Sequence, residues 1–257
     1  VTVGNGSTLN VTGGLALDAG KVTLSSSNAA SLVLLGTGDQ TLSATAAGGE
    51  VIFGGSNDNG VLSSSDLGSR LVIGANVTVH GSRGGTVGTA TRGLNNLGTI
   101  KADTAARTIT VTGTNWTNNG LLWANTGAIT TTSTWSSPGA IQIDSTGTFN
   151  LGGTFATGAI TGNVTRTGGT VNLASTLDLN NASYDLGGTN NIGSLSLNGG
   201  STIKSGRLVT SNSTSATTDT FISVSFDGVT LGNGTANSGN VTVGNGSTLN
   251  VTGGLAL

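Results

Sequence analysis

The chain has 257 residues, a formal net charge of −2, 45 Gly, one Pro and no Cys or Met. Only 8% of its residues are charged, and it has no basic or acidic run of the kind that binds nucleic acid or an anionic membrane. The absence of Cys excludes disulfides and thiolate metal sites. The longest apolar runs have four residues, as at Leu32–Leu35, so the sequence predicts no membrane span, which needs about 18.

The composition is that of a β protein. Glu, Gln, Lys and Met are rare or absent, whereas Thr, Val, Gly and Asn are abundant, which is typical of strands joined by tight turns. Gly inside a strand costs about 0.5–1 kcal/mol relative to Ala, so most Gly residues belong in turns or bulges. The small net charge and the 35% of apolar residues argue against disorder. The sequence therefore predicts an all-β chain of many short strands.

The two ends of the chain carry the same sequence. Residues 1–17 and residues 241–257 both read VTVGNGSTLNVTGGLAL, an identity that predicts a tandem repeat. Residues 1–240 would be one complete unit, and residues 241–257 would begin the next unit of the same continuous solenoid. We expect neighbouring units to meet head to tail at the strands that contain Val1, Val3, Val241 and Val243. Such arrays extend, stack or present, which favours a structural role over catalysis.

A shorter period runs through the chain. Apolar residues recur in pairs two positions apart, which places both side chains on one face of a strand. Pairs that are 19 or 20 residues apart begin at Leu32, Val51 and Leu71, at Leu121 and Ile141, and at Ile222 and Val241. A coil of about 20 residues is typical of a β-solenoid, so a unit would have about twelve coils. Because parallel crossovers are almost always right-handed, the predicted fold is a right-handed parallel β-helix.

The register is clearest in four similar blocks, each with a bulky residue, a polar link, a Gly turn and an apolar strand. The blocks start at Leu94, Trp116, Trp135 and Phe155. Stacked coils would place these four residues in one core column, where aromatic pairs add stability. At Pro138–Gly139 the sequence predicts a type II turn with a positive φ at Gly139, and it predicts a further strand at Phe221–Phe226.

Short phrases in these coils are similar to a known family. The phrases NLGTI, NNGLL, TGAI and GGTVNL, on coils rich in Gly, Asn and Thr, resemble the right-handed parallel β-helix passengers of large secreted bacterial adhesins. These include filamentous haemagglutinin-like and autotransporter-type proteins. The resemblance covers the whole chain and implies an elongated, adhesive or matrix-forming protein that is extracellular or at the cell surface. It transfers no functional residue to a position in this sequence.

The three tryptophans are the first candidates for a ligand site. Trp116, Trp123 and Trp135 could together stack against a sugar. The alternative is a structural role, because Trp116 and Trp135 share one phase of the coil. We expect these two residues to belong to the core.

The densest charged neighbourhood surrounds His80. It contains Arg83, with Asp66 and Arg70 upstream. A polysaccharide lyase or hydrolase needs paired carboxylates with a base or cation nearby, and a Ser-His-Asp triad needs a His with partners arranged around it. The acids in this chain are scattered, so surface charge is the preferred interpretation.

Three further patterns have simpler interpretations. The segment Gly54–Gly60 has one carboxylate, Asp58, too few for a calcium site, and we expect a turn. Asn-x-Ser/Thr sequons occur at Asn76, Asn115, Asn163 and Asn212, as a chain rich in Asn and Thr requires. Thr108, Thr110 and Thr112 could suggest an ice-binding face, but we expect no flat Thr ladder repeated on every coil.

The sequence thus predicts a structural or adhesive rod segment of a giant tandem-repeat protein, without catalytic, metal or cofactor-binding residues. A surface glycan or a host or matrix ligand is the kind of partner it would meet, besides identical neighbouring units. The alternative is a carbohydrate-active or carbohydrate-binding β-helix domain. A third interpretation treats the rod as a spacer that carries a binding tip.

Overall fold

The computed structural model describes residues 1–211, 214–218, 220 and 222–257. The chain is an all-β solenoid of about eleven turns, in which successive turns pair through parallel strands. The only helix among the described residues is a 3-10 turn at Thr157–Ile160. The strand expected at Phe221–Phe226 is found at Ser223–Leu231, and Phe221 itself lies outside the described residues.

The strands of each turn fall on three sides of the rod. The first side is an eight-stranded sheet with strands Thr2–Val3, Lys21–Ser26, Gly49–Gly55, Val77–Gly81, Thr99–Ala102, Leu121–Ala124, Ala140–Ile143 and Val164–Arg166. The second side is an eleven-stranded sheet with strands Ser7–Thr12, Ala30–Leu35, Gly60–Ser64, Gly85–Val87, Thr108–Val111, Ala128–Thr131, Thr148–Leu151, Thr170–Leu173, Leu195–Leu197, Ala216–Thr218 and Val241–Thr242.

The third side consists of two sheets that follow one another along the rod. The lower sheet has strands Leu15–Ala16, Gly38–Ser43, Ser69–Ile73, Gly93–Asn96, Trp116–Asn118 and Trp135–Ser136, and the upper sheet has Thr154–Ala156, Thr176–Asp178, Thr202–Val209, Ser223–Leu231 and Thr248–Ala256. A parallel bridge between Thr134 and Thr154 joins the two sheets. The upper strands are longer because they bend: Thr202–Val209 pairs with Thr176–Asp178 and, beyond the bend, with Ser183–Asp185.

Inward side chains of all three sides form one continuous core. In Ala30–Leu35 the burial alternates, and Ala30, Leu32 and Leu34 are fully buried. The same alternation on the other sides extends the core cluster from Val3 to Leu231. Because apolar burial stabilises by about 25 cal/mol per Å², each turn is held mainly by the apolar residues that it stacks on its neighbours.

The turns vary more in length than the sequence predicts. Leu122 and Ile141, which are paired on the first side, are 19 positions apart, whereas Leu32 and Leu62 on the second side are 30 apart. Pairing constrains the strands only, so loops at the corners absorb the difference. As a result the chain has about eleven turns instead of about twelve.

Some of the predicted 20-residue spacings are therefore wrong. Leu32, Val51 and Leu71 do not lie on successive turns of one side, because they belong to the second, first and third sides. Val241 pairs with Ala216 on the second side, whereas Ile222 precedes a third-side strand. Apolar pairs look alike on every side, so spacing alone does not assign a side.

The corner between the third and first sides depends on glycine. Gly98, Gly120 and Gly139 lie there in successive turns, and a Cβ on any of them would stand less than 3.0 Å from backbone atoms of the turn below. The predicted positive φ at Gly139 is wrong, since Gly139 is not among the residues with positive φ. Glycine is required here by close approach of two backbones and not by turn geometry.

The fourth block departs from the pattern of the first three. Gly158 lies in the 3-10 turn Thr157–Ile160, and the next first-side strand begins only at Val164. Ile160 is nevertheless fully buried, and its carbonyl accepts a hydrogen bond of 2.9 Å from the hydroxyl of Tyr184. The block keeps its inward apolar residue but loses the strand.

Replacing Gly120 by Ala is expected to lower the free energy of unfolding by about 1–3 kcal/mol, the usual cost of overpacking, because the Cβ would press on the carbonyl of Gly98. Gly158→Ala is the matched control: it holds the equivalent place in its block, but nothing lies within 4 Å of a Cβ there. Urea unfolding measures both variants. Equal losses of stability would contradict the close-approach explanation.

Candidate functional site

The four block-leading residues lie one above another inside the rod. Trp116 is paired with Trp135, and their stacked rings have centroids 5.5 Å apart. Trp135 is followed by Phe155 at 5.0 Å, and Leu94 lies in the strand that pairs below Trp116. All four are buried. Both indole N–H groups donate to backbone carbonyls, to Thr132 and Gly152, at 2.9 Å, so Trp116 and Trp135 do not face a ligand.

A buried polar ladder runs beside this column and was missed from the sequence. Asn96, Asn118 and Ser137 each lie two positions after a column residue and are buried. The amide of Asn96 donates to that of Asn118 at 2.7 Å, and Asn118 donates to the hydroxyl of Ser137 at 2.9 Å. The signal was present, because a spacing of two from an inward residue points inward again.

Trp116→Ala or Trp135→Ala is expected to cost about 3–5 kcal/mol of unfolding free energy, as for buried aromatics generally. Trp123→Ala serves as the control and should cost much less, because Trp123 is partly exposed on the outer surface. Urea unfolding followed by circular dichroism measures all three. If either core variant unfolds with the unaltered chain, the aromatic column is not a stabilising element.

The outer face of the first side carries the most connected polar cluster in the described part of the chain. Trp123 shares a strand face with Leu121, as the apolar pairing predicts, but that face is the outer one, and Leu122 and Ala124 point into the core. The register places Lys101 below Trp123 and Gln142 above it. We call the following residues the Trp123 cluster: His80, Lys101, Asp103, Trp123, Asn125, Gln142 and Asp144.

Asp144 is the hub of the upper half of the cluster. Its carboxylate accepts hydrogen bonds from Gln142 at 2.9 Å, Asn125 at 2.6 Å and the indole N–H of Trp123 at 2.8 Å. The bond from Gln142, with those from Asn125 and Trp123, holds the pKa of the Asp144 carboxyl below its usual value, because donors stabilise the charged form. Asp144 therefore fixes the Trp123 ring while remaining ionised at neutral pH.

Asp103 is the hub of the lower half. Its carboxylate lies 3.0 Å from Nδ1 of His80 and 3.9 Å from the ammonium of Lys101. That ammonium in turn stands 4.3 Å from the centre of the Trp123 ring, a cation–π contact that joins the two halves. All of these side chains start from strands or strand ends, so the cluster is held on a rigid surface.

The other residues of the predicted charged neighbourhood are not brought to His80. Arg70 lies on the third side, where it forms an ion pair of 2.6 Å with Asp39, and its hydrogen bond holds the pKa of Asp39 below the usual value. Asp66 accepts hydrogen bonds from Ser65 and from the backbone of Gly36. The grouping of Asp66 and Arg70 with His80 is a proximity in sequence only.

Asp58, the single carboxylate of the predicted turn, is used to tie corners together. It accepts hydrogen bonds from the backbone N–H of Gly84 and from Arg107, both at 3.0 Å. Although burial raises it, the pKa of Asp58 is held below its usual value by these donors. Among the described residues no three His, Cys, Asp or Glu side chains are grouped as a metal would need.

The outer face of the second side is uncharged and rich in hydroxyl and amide groups. Its eleven strands contain no charged residue, and one outward column reads Thr86, Thr110, Thr130, Asn150, Asn172, Ser196, Thr217 and Thr242. Thr108 is also outward, but Thr112 is buried and bonds Ser133. The column is regular although it is not a ladder of Thr alone.

Two of the sequon asparagines have structural roles. Asn76 donates its side-chain amide to the carbonyl of Ala44, and Asn163 donates to that of Gly139. Asn115 adopts a positive φ of 47°, and Asn212 lies outside the described residues.

Comparison of this chain with family models, curated proteins and solved structures finds no match. No helical stretch that the structure describes has the length and hydropathy of a membrane span. The fold is a parallel β-solenoid, and the argument for function has to start from the surfaces and ends of the rod.

Proposed function

We propose that this chain is a structural and adhesive rod segment of a tandem-repeat protein at the cell surface or outside the cell, whose units stack end to end. The observation that carries the proposal is the state of the two end turns. Their strands, Thr2–Val3, Ser7–Thr12 and Leu15–Ala16 at one end and Val241–Thr242 and Thr248–Ala256 at the other, are terminal in their sheets. Unpaired strand edges are templates for pairing.

The body of the rod supports the same proposal. Its core continues through successive turns without a break, so length can be added turn by turn, as in other repeat proteins. At the upper end, Val251 is in register with the buried Phe226 but is 45% exposed. A further turn would cover it, and because head-to-tail contact is heterologous it propagates into a filament.

We also propose that the chain is not an enzyme and uses no cofactor. Its closest approach to catalytic geometry is the contact between His80 and Asp103. The second carboxylate of the cluster, Asp144, accepts three side-chain donors and is held ionised, which does not suit a general acid. The paired carboxylates of a glycosidase would need one that stays protonated.

Lysine in place of Val251 should suppress end-to-end association of the 257-residue chain, because a charge would stand in the apolar end of the core. Thr252→Lys is the matched control, since it adds the same charge to the same strand on the outer face. Multi-angle light scattering over a concentration series measures the mass. A strictly monomeric unaltered chain, or equal association of both variants, would reject stacking through these ends.

A second candidate function, carbohydrate binding, is favoured by the Trp123 cluster. It combines a partly exposed indole with planar amide and carboxylate groups on a rigid face, the chemistry that stacks on a pyranose ring and bonds its hydroxyls. Two carboxylates stand there against one lysine and one histidine. That balance favours a neutral saccharide over an acidic one.

An array of neutral and acidic oligosaccharides tests this candidate with the intact chain. We expect binding to neutral glycans only, lost by at least tenfold in Trp123→Ala, since aromatic stacking supplies about 0.5–1.5 kcal/mol or more. Val33→Ala, an outward apolar residue on the second side, is the control and should bind normally. No binding, or binding indifferent to Trp123, would reject the site.

A further inference from the structure

The two copies of the repeated segment lie on different sides of the rod. In the first copy Thr2–Val3 is on the first side, Ser7–Thr12 on the second and Leu15–Ala16 on the third. In the second copy Val241–Thr242 is on the second side, paired with the strand Ala216–Thr218, and Thr248–Ala256 begins on the third side, paired with Ser223–Leu231. Each part of the segment has advanced by one side.

The local conformation of the two copies is nevertheless the same. The N–H of Ser7 bonds the carbonyl of Gly4 at 3.1 Å, and the N–H of Ser247 bonds that of Gly244 at 3.1 Å. Gly6 has φ 69° and Gly246 has φ 70°. The shift is therefore a change of side with the local fold preserved, and not an unfolding of the second copy.

The corner glycines repeat as well. Gly13 and Gly14, which turn the first copy from the second to the third side, have φ 79° and 87°. Gly253 and Gly254, at the bend of Thr248–Ala256, have φ 62° and 89°. The same corner is thus used one side further on.

The sequence permits this shift because every side makes the same demand. In both copies the residues that face the core are apolar: Leu9 and Leu249 both pack against the core cluster, as do Leu15 and Leu255. The outward positions are Thr, Asn and Ser, which are acceptable on any side. Nothing in the 17 residues, such as a charge or a bulky aromatic, ties them to one side.

The number of turns in a unit follows from the second side. Its eleven strands run in order from Ser7–Thr12 to Val241–Thr242, which makes ten steps from turn to turn. The unit itself starts one side earlier, at Thr2–Val3. From the start of one copy to the start of the next, the chain therefore advances by ten turns and one further side.

We propose that successive 240-residue units of this solenoid are rotated by one side about the rod axis, an inference that rests on the array of the proposed function. The Trp123 cluster would then lie on the first side in one unit, on the second in the next and on the third in the one after. The uncharged second-side face rotates in step. An array would present each surface in three directions, so a partner on one side meets the same surface once in every three units.

Paired cysteines in the 257-residue chain test the side directly. Thr217 and Thr242 are in register and both point outward, at the separation of neighbouring strands, which a disulfide can span. Thr217→Cys with Thr242→Cys should form a disulfide at least about tenfold faster than the unregistered control, Thr230→Cys with Thr242→Cys. Ser225→Cys with Asn250→Cys is a second registered pair, on the third side.

A chain of two units, residues 1–240 followed by residues 1–257, completes the test. Cysteines at Thr217 of the first unit and Thr2 of the second should crosslink as fast as the corresponding pair in the single chain. Failure of both registered pairs in the single chain, or loss of the crosslink in the two-unit chain, would overturn the rotation. These readouts are intramolecular, so they stand whether or not separate chains associate end to end.

Discussion

The pairing of each turn with the turn below is the constraint on which the rest of the structure depends. Parallel strands about 4.8 Å apart hold equivalent positions of successive turns in contact, so one inward residue stacks on another of its kind. The stacked rings of Trp116 and Trp135 and the buried ladder from Asn96 to Ser137 follow from this register. So does the glycine corner, where the backbones of two turns touch.

Outward residues obey the same register and give the sides their different characters. On the first side it brings Lys101, Trp123 and Gln142 into one column, from which the neighbouring carboxylates draw their hydrogen bonds. On the second side it aligns hydroxyls and amides and no charge. The rod has a uniform interior and distinct outer faces, which is what a protein that both extends and adheres requires.

The solenoid fold and the central coils could be predicted from sequence for a physical reason. From Leu94 to Trp135 each block pairs a bulky inward residue with a glycine that no other residue can replace, so the register is marked twice in every turn. Elsewhere the inward residues are Val, Leu and Ile on all sides alike, and Leu32, Val51 and Leu71 were therefore assigned to one side although they occupy three. Corner loops of variable length carried no signal for the length of a turn.

The Trp123 cluster was only partly predictable, because strand alternation leaves open which face is outward. Leu121 and Trp123 form an apolar pair as good as any core pair, and only the neighbouring turns show that Leu122 is the inward residue. Its partners Asp103, Asn125 and Asp144 are about 20 residues apart along the chain. Sequence proximity instead pointed to Asp66 and Arg70, which lie on other parts of the rod.

The direction of the backbone hydrogen bonds has a mechanical consequence. Because strands of successive turns pair along the rod, these bonds run parallel to its axis, and a pull on the two ends loads them in tension. The outermost turn carries neighbours on one side only, so it detaches first, and rupture passes inward turn by turn. Each released turn replaces a rise of about 4.8 Å by roughly 65–70 Å of extended chain. A tether built in this way lengthens under load before it breaks, and it dissipates work in many small steps.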